Sequence, residues 1–354
     1  MSRMTLEVVA FLLRITGHQV TTIPDELVVG TEWYEVFIDR PCSGYEGIGL
    51  VVVMLGFYLF FFRRTLRFPN ALLLVPIGIV LIWLANAVRI AALIAIGHSI
   101  SPEIAEGGFH SAAGWLLFCL ITLCLIAVSK RWSWFSLEPS RRMKLRTPEG
   151  AFLLPLLFLI AASLLTALFT IDFDYLYPVQ IAATLIPLWF FRSYYRELQW
   201  SWSWTPLLLG ALVFALWVIL EPTADPEVAR AIPDALAEMP KALAGAWLLC
   251  RVLGSVVFVP ITEELAFRGY LLRRVIDEDF TSVSPKMFTI TSFLVSSVAF
   301  GLLHEEWLAG ILAGMIFAMA QYRRGSIADA IAAHAVSNAL LAVYVLWFGQ
   351  WSLW

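Results

Sequence analysis

The apolar residues of this 354-residue sequence fall in long blocks. Each block is roughly 16–25 residues long, which is the length a helix needs to cross a ~30 Å hydrocarbon layer. Hydrophobic residues make up 60% of the chain and charged residues 14%, so the sequence is far more apolar than a soluble domain. The blocks therefore predict a polytopic membrane protein. The candidate spans are 46–62, 71–97, 110–129, 151–170, 178–191, 205–220, 242–260, 286–304, 307–322 and 327–348.

The expected fold is all-α, with about 8–10 transmembrane helices and a small extracytoplasmic β patch. The patch is predicted within residues 18–40, where β-branched and aromatic stretches are separated by turn residues at Pro24 and Gly30. Residues 1–16 are too short to span the membrane, and their pattern is typical of an interfacial amphipathic helix.

Basic residues orient the chain by the positive-inside rule. Arg63, Arg64 and Arg67 follow the first span, so this loop is expected in the cytoplasm, and residues 1–45 outside it. The basic stretch 131–150 is expected to be a cytoplasmic linker between a domain at 1–130 and a domain at 151–354. The net charge of −3 comes with no basic stripe, so we expect no nucleic-acid partner.

Three chemically useful residues are predicted to meet at the outer membrane face. Cys42 precedes the first span, Arg89 lies near the outer end of the second, and His110 opens the third. A thiolate attacks carbonyl groups, an imidazole can move its proton, and a guanidinium can stabilise the thiolate or an oxyanion. Each residue taken singly also fits a structural role, since a Cys beside a Gly often shapes a turn and an Arg near a helix end often snorkels.

These residues lie in motifs that resemble those of the exosortases, namely Cys42-Ser43-Gly44, Asn86-x-x-Arg89 and Gly108-Phe109-His110. The resemblance implies a transpeptidase that cleaves a C-terminal sorting signal. It makes Cys42 the nucleophile, His110 the acid/base and Arg89 the stabilising cation. The implied partners are exported proteins with a hydrophobic C-terminal tail, the lipid bilayer, and a lipid or glycan acceptor. Members of that family usually carry further spans before the cysteine.

A second group of polar residues lies in the later apolar blocks, where buried charge is costly and therefore indicates function. Glu264 and Arg268 are four residues apart and can pair on one helix face, which leaves Glu263 free to act as a general base. His304 is expected to hold a water molecule. His334 and Asn338 are expected to donate hydrogen bonds to a developing oxyanion.

Two alternatives to general-base catalysis remain open for this second group of polar residues. The residues can form a buried polar network that only packs helices, or two His and a Glu can bind zinc. The order Glu-Glu-x-x-x-Arg, Phe-x-x-x-His, His-x-x-x-Asn is similar to the CPBP family of CAAX-type and bacteriocin-processing proteases. This resemblance implies a glutamate-dependent endopeptidase with no metal and no other cofactor, with Glu263 as base and Glu264–Arg268 as the supporting pair.

His304 and His334 can meet only if the chain is interrupted between them. A straight span over 286–304 places His304 about 27 Å from its start, whereas His334 lies about 10 Å into its own span. We therefore expect a broken or re-entrant element near 301–310.

The two halves together resemble the exosortase E/protease fusion, a multi-pass enzyme of the bacterial inner (cytoplasmic) membrane. Two other classes stay open. A transporter is expected to show similar halves and a polar path, and the sequence shows no internal repeat. A catalytically inactive scaffold is compatible with the composition, although both sets of motifs are intact.

Overall fold

The computed structural model describes residues 1–38, 41–139, 146–171, 173–198, 203–220 and 226–354. The chain divides into two compact units. The first unit comprises Met1–Met143 and Leu164–Asp174, and the second comprises Lys144–Ser163 and Tyr175–Trp354. Residues 140–145 of the predicted basic linker lie outside the described residues, and the boundary at 131–150 stays a prediction.

The first unit combines a small sheet with four long helices. Its three strands are antiparallel in the order β1-β2-β3, and Val29 at the centre pairs with Thr22 and Val36. Short helical segments at Pro41–Ser43, Asn70–Leu73, Pro102–Ile104 and Ala105–Phe109 connect the long elements. The long elements are α1 (Ser2–Ile15), β1 (Thr21–Ile23), β2 (Val28–Gly30), β3 (Glu35–Phe37), α2 (Tyr45–Phe61), α3 (Leu74–Ser99) and α4 (His110–Arg131).

Helix α1 is amphipathic, as the sequence predicts. Its buried residues Leu6, Val9 and Leu13 pack in one core with Val29 of β2 and Ile94 of α3. Burial of these side chains stabilises the attachment of α1 by about 1.5–3 kcal/mol each. A neighbouring helix and sheet therefore cover one side of α1, while other apolar side chains of this helix stay exposed, and its place at a membrane interface stays a prediction.

The second unit is helical throughout its described residues. Its long helix α9 consists of consecutive segments in which π-helical turns at Gly254–Phe258 and Leu265–Leu271 interrupt the α-helix. Short helices lie at Arg192–Arg196 and Trp351–Leu353. The main helices are α5 (Pro148–Ala167, whose last residues group with the first unit), α6 (Tyr177–Phe190), α7 (Thr205–Leu220), α8 (Pro226–Glu238), α9 (Lys241–Arg274), α10 (Ile290–Gly301), α11 (Trp307–Arg324) and α12 (Ile327–Phe348).

Helices α10 and α11 form a tight hairpin. A Cβ atom added at Gly310 would lie 2.9 Å from Gly301 Cα, and one added at Gly314 would lie 3.1 Å from Ser297 Cα. Small residues four apart on both helices let the backbones approach, as is common inside membranes. The turn between the helices contains His304, so the predicted interruption near 301–310 is confirmed.

A helix lies in each predicted span, and the all-α polytopic fold is confirmed. Within the described residues, five helices are long and apolar enough to cross a membrane by length and composition, and four shorter apolar helices accompany them. The five are Asn70–Ser99, Ala112–Arg131, Pro148–Ala167, Lys241–Arg274 and Ile327–Phe348. The span predicted at 286–304 is only the 12-residue helix α10, because the chain turns after Gly301.

Candidate active sites

Cys42 lies in a turn that two helices hold in place. The short segment Pro41–Ser43 ends at Gly44, whose φ of 103° is left-handed and favours glycine over residues with a Cβ. Asn86 Nδ2 of α3 donates to the Cys42 carbonyl at 2.7 Å, and Thr5 Oγ1 of α1 donates to the Ser43 carbonyl at 3.2 Å. The role of Thr5 could not be predicted from the sequence.

Asn86 and Arg89 lie one turn apart on α3, so they share a face of the helix. Arg89 Nη1 donates to the His110 carbonyl at 3.0 Å, where α4 begins. The π-helical segment Ala105–Phe109 leads into His110, and a non-helical glycine, Gly107, bends it. Helix α3 thus binds both the Cys42 turn and the start of α4 through two side chains of the predicted Asn86-x-x-Arg89 motif.

A pocket of about 300 Å³ opens beside these residues. Asn86, Arg89 and His110 line it, and the carboxylate of Glu46 joins them from the first turn of α2. Cys42 is half-buried and adjoins the pocket through its bond to Asn86, but its side chain is not among the lining groups. The structure therefore brings together the three predicted motifs, with Glu46 as a residue that the sequence did not indicate.

Partial burial favours a neutral His110. Partial burial, and then the positive charge of Arg89, lower the pKa of the imidazole below its ordinary value, while Glu46 raises it. A neutral imidazole can accept a proton, which is the state a general base needs.

The second site is built on the irregular part of α9. Pro260 has no N–H to complete the helical ladder, and the π-helical turn Gly254–Phe258 lies just before it. Glu263 and Glu264 end the short α-helical stretch before the second π-helical turn. Such turns re-aim side chains and are frequent at functional sites.

Glu264 and Arg268 form a fully buried ion pair. Arg268 Nη1 donates to Glu264 Oε1 at 3.1 Å, and Arg268 Nε lies 3.1 Å from Oε2. Arg268 Nη2 also donates to the Gly314 carbonyl at 2.8 Å, and its guanidinium lies 4.3 Å from the Phe300 ring centroid. The predicted pair is present, and His334 joins it with Nδ1 at 3.0 Å from Glu264 Oε1.

Glu263 is separate from this pair. Its side chain is 8% exposed, and its Oε2 atom has no hydrogen-bond partner in the part of the chain that the structure describes. A buried carboxylate oxygen without a partner is energetically costly and is available to a water molecule or a substrate group. This is the state expected for a general base.

His304 and His334 approach the same aromatic cluster. His304 lies in the turn after α10, and its Nδ1 is 2.9 Å from the Phe300 carbonyl, so Nδ1 is the donor and Nε2 is the acceptor. His334 stacks on Phe317 at 4.6 Å, and its ring centroid is 5.7 Å from that of Phe300. The interruption of the chain after Gly301 is what allows the two histidines to share Phe300.

Asn338 lies one turn after His334 on α12 and donates from Nδ2 to the Ser255 carbonyl at 2.8 Å. One amide hydrogen is therefore used by the protein, and the second remains for a ligand. Among the described residues, no three His, Cys, Asp or Glu side chains are grouped as metal ligands. The zinc alternative thus has no three-residue ligand set in this part of the chain.

Aromatic residues complete the second site in a way that the sequence did not indicate. Trp217 of α7 packs edge to face on His304, with ring centroids 5.5 Å apart. Phe317 stacks on His334. Because apolar residues are frequent throughout these helices, their periodicity does not show which of them touch a polar side chain.

Two family models match the chain in these regions. Residues 1–127 match the transmembrane exosortase (EpsH) family, and residues 245–340 match the type II CAAX prenyl endopeptidase Rce1-like family. The chain joins an exosortase-like region to an Rce1-like region. The comparison with curated proteins and the comparison with solved structures each gave no match.

The exosortase-like region contains Cys42, Arg89 and His110, and the Rce1-like region contains the glutamates, both histidines and Asn338. The resemblance to an exosortase–CPBP fusion is confirmed. Together with the apolar helices, it makes the chain a multi-pass membrane protein with a protease and sorting-related function.

Proposed function

We propose that the exosortase-like region is a cysteine transpeptidase that removes hydrophobic C-terminal sorting tails from exported proteins at the bacterial inner membrane. Cys42 is the nucleophile, His110 the acid/base and Arg89 the cation that stabilises developing negative charge. The observation that carries the proposal is that Asn86 and Arg89, on one face of α3, bind the backbone of the Cys42 turn and of His110.

The proposed reaction proceeds in two steps. His110 takes the thiol proton, and Cys42 Sγ attacks the scissile carbonyl carbon, so that an S–C bond forms and a tetrahedral oxyanion develops. Collapse of this intermediate breaks the C–N bond, and His110 gives its proton to the leaving amine of the tail. An amine or hydroxyl group of a lipid or glycan acceptor, or water, then attacks the thioester carbonyl carbon and breaks the S–C bond. His110 takes the proton of this nucleophile and returns it to the leaving Cys42 thiolate.

The Rce1-like region is proposed to hydrolyse a peptide bond with Glu263 as general base. Glu263 takes a proton from a water molecule, the water oxygen attacks the carbonyl carbon, and the proton passes to the leaving amine. His304 Nε2 accepts a hydrogen bond from that water. The second amide hydrogen of Asn338 donates to the oxyanion. His334, whose Nδ1–H donates to Glu264 Oε1, donates to the oxyanion from Nε2 as the protonated imidazolium, while Glu264 and Arg268 hold it in position.

The buried Glu263 carries this second proposal. Its Oε2 atom has no hydrogen-bond partner and, unlike Glu264, its carboxylate has no cation within ion-pair distance among the described residues, whereas a purely structural network would pair its buried carboxylates. A scaffold without activity also accommodates the pair of Glu264 and Arg268, but it gives no role to Glu263. A transporter calls for a polar path, and no observation among the described residues favours one.

Thiol labelling tests the first site without knowledge of the substrate. A membrane-impermeant maleimide is expected to label wild-type chain in sealed vesicles that expose the outer face, and Cys42→Ala is expected to lose that label. Cys250→Ala is the matched control, because Cys250 is a half-buried residue of the apolar helix α9. Equal labelling of the wild type and Cys42→Ala contradicts a reactive Cys42 at the outer face.

A further inference from the structure

Two histidines outside both candidate sites contact each other. The chain has five histidines, and three of them lie in the sites described above. The remaining two, His18 and His98, have ring centroids 5.6 Å apart and ring planes at 84° to each other. His18 comes shortly after α1, and His98 lies in the last turn of α3, so the pair connects the ends of two helices.

A threonine hydroxyl engages Nδ1 of each ring. Thr16 Oγ1 lies 3.1 Å from His18 Nδ1 and is also within hydrogen-bond distance of the Leu13 carbonyl at 2.9 Å and the Leu12 carbonyl at 3.1 Å. The contact occupies Nδ1 of His18, so Nε2 is the ring nitrogen left for a ligand.

The same arrangement holds for the second ring. Thr31 Oγ1 lies 3.0 Å from His98 Nδ1 and donates to the Tyr34 carbonyl at 3.4 Å. Both imidazoles thus use Nδ1 for a threonine contact, which leaves Nε2 for a metal ion. Hydrogen bonding of the other ring nitrogen is what orients metal-binding histidines in proteins.

The ring separation suits a shared ion. Metal–nitrogen bonds of about 2.0–2.1 Å place the centroids of two imidazoles on one zinc ion roughly 5–6 Å apart. The 5.6 Å separation of His18 and His98 falls in this range. His98 is exposed and His18 is half-buried, so an ion and its water ligands can reach the pair.

We propose that His18 and His98 form a binding site for a divalent transition-metal ion, with the two Nε2 atoms as ligands and water in the remaining positions. Imidazole ligands favour Zn²⁺, Ni²⁺ and Cu²⁺ over Mg²⁺ and Ca²⁺. The ion ties the end of α1 to the end of α3. The proposal of this metal site does not rest on the peptide-bond chemistry proposed for the exosortase-like and Rce1-like regions.

The site connects to the first active site through hydrogen bonds. Thr31 binds the Tyr34 carbonyl, and the Tyr34 hydroxyl donates to Glu106 Oε1 at 3.3 Å. Burial and Glu106 raise the pKa of Tyr34 to about 12, so the phenol remains a donor at physiological pH. Glu106 belongs to the π-helical segment Ala105–Phe109, which leads into His110. A bound ion is therefore expected to hold this segment in place through Thr31, Tyr34 and Glu106.

Metal titration of the purified full chain in detergent tests the proposal, with ZnCl₂, NiCl₂ or CuCl₂ alone as the probe. Calorimetry is expected to show saturable binding of a single ion per chain, reversed by a chelator. The unfolding temperature is expected to rise with metal concentration, because the ion binds the folded state. His18→Ala and His98→Ala are each expected to remove this binding, and Thr31→Val is expected to weaken it about 10-fold or more.

His110→Ala is the matched control, since it removes an exposed imidazole of the same unit and is expected to leave metal binding unchanged. Absence of saturable binding to the wild type, or undiminished binding by both His18→Ala and His98→Ala, overturns the proposal. If those variants do not fold, carbethoxylation of the histidines in the wild-type protein tests the metal site instead. Metal is expected to protect His18 and His98 but not His110, and equal protection of all three contradicts the site.

Discussion

In the second site, His334 Nδ1 lies 3.0 Å from Glu264 Oε1, so this carboxylate serves the imidazole as well as Arg268. Its neighbour Glu263 has an Oε2 atom with no hydrogen-bond partner among the residues that the structure describes. Glu264 Oε2 also lacks a hydrogen bond but lies 3.1 Å from Arg268 Nε, so the two adjacent glutamates differ in that only Glu264 belongs to a buried ion pair. Their substitutions are therefore expected to have different consequences.

Glu264→Gln is expected to destabilise the protein strongly, whereas Glu263→Gln is not. Loss of Glu264 leaves the fully buried Arg268 charge without its carboxylate, which costs about 3–5 kcal/mol for buried pairs. Glu263→Gln is the matched control, because it changes the same atoms one residue earlier and breaks no ion pair. Thermal unfolding in detergent measures the stability of both variants. A similar loss of stability in the two variants would refute the roles assigned to Glu263 and Glu264.

Gly301→Ala is expected to disturb the turn that holds His304. An added Cβ would lie 2.4 Å from Ile311 Cγ1 and 2.6 Å from the Trp307 carbonyl oxygen, so α10 and α11 must separate. Overpacking of this kind typically costs about 1–3 kcal/mol. The midpoint of thermal unfolding is expected to fall. Peptide cleavage by the Rce1-like region is expected to fall with it.

Gly245→Ala provides the control for this substitution. Gly245 lies inside α9, and an added Cβ there meets no atom within 4 Å. Alanine is expected to stabilise the helix by up to about 1 kcal/mol. If both glycine substitutions changed the midpoint equally, close packing at Gly301 would not be the cause of its effect.

The sequence predicts local features of this fold well. Apolar block length identifies the helices, and i,i+4 spacing identifies the pair of Glu264 and Arg268, because both depend on neighbours along one helix. The alternation of β-branched residues with turns likewise predicts the three-stranded patch. The interruption after Gly301 follows from geometry, since His304 and His334 do not meet otherwise.

Contacts between separate helices could not be predicted from one sequence. Trp217 on His304 and Phe317 on His334 depend on helix packing, which repeating apolar residues leave undetermined. The amphipathic pattern of α1 could be recognised in the sequence, but its packing on β2 and α3 could not. The pairing of His18 with His98 likewise depends on how α1 and α3 pack together.

Arg89→Lys is expected not to restore the activity of the first site. The guanidinium binds the His110 carbonyl through Nη1 while its other donors remain near the pocket. A lysine ammonium is a compact, strongly hydrated charge that cannot provide this planar fork. Tail cleavage by Arg89→Lys is expected to be as weak as by Arg89→Gln, and wild-type cleavage by the lysine variant would reduce Arg89 to a membrane anchor.

Glu46→Gln is expected to shift the pH profile of the first site. Burial and Arg89 lower the pKa of His110, and the Glu46 carboxylate opposes them. Removing that carboxylate lowers the pKa of His110 further, so the neutral base persists to more acidic pH. The acidic limb of kcat/KM for tail cleavage is expected to move to lower pH, and a shift to higher pH would contradict His110 as the base.

The central claim is that the chain carries two independent peptide-bond-cleaving sites. The sites lie in different compact units and share no residue, so substitutions in them are expected not to couple. The most direct measurement is mass-spectrometric mapping of cleavage products from a co-expressed exported protein with a hydrophobic C-terminal tail. Cys42→Ala is expected to abolish only one cleavage, and Glu263→Ala only the other. Loss of both cleavages in either stably folded variant would contradict two independent sites.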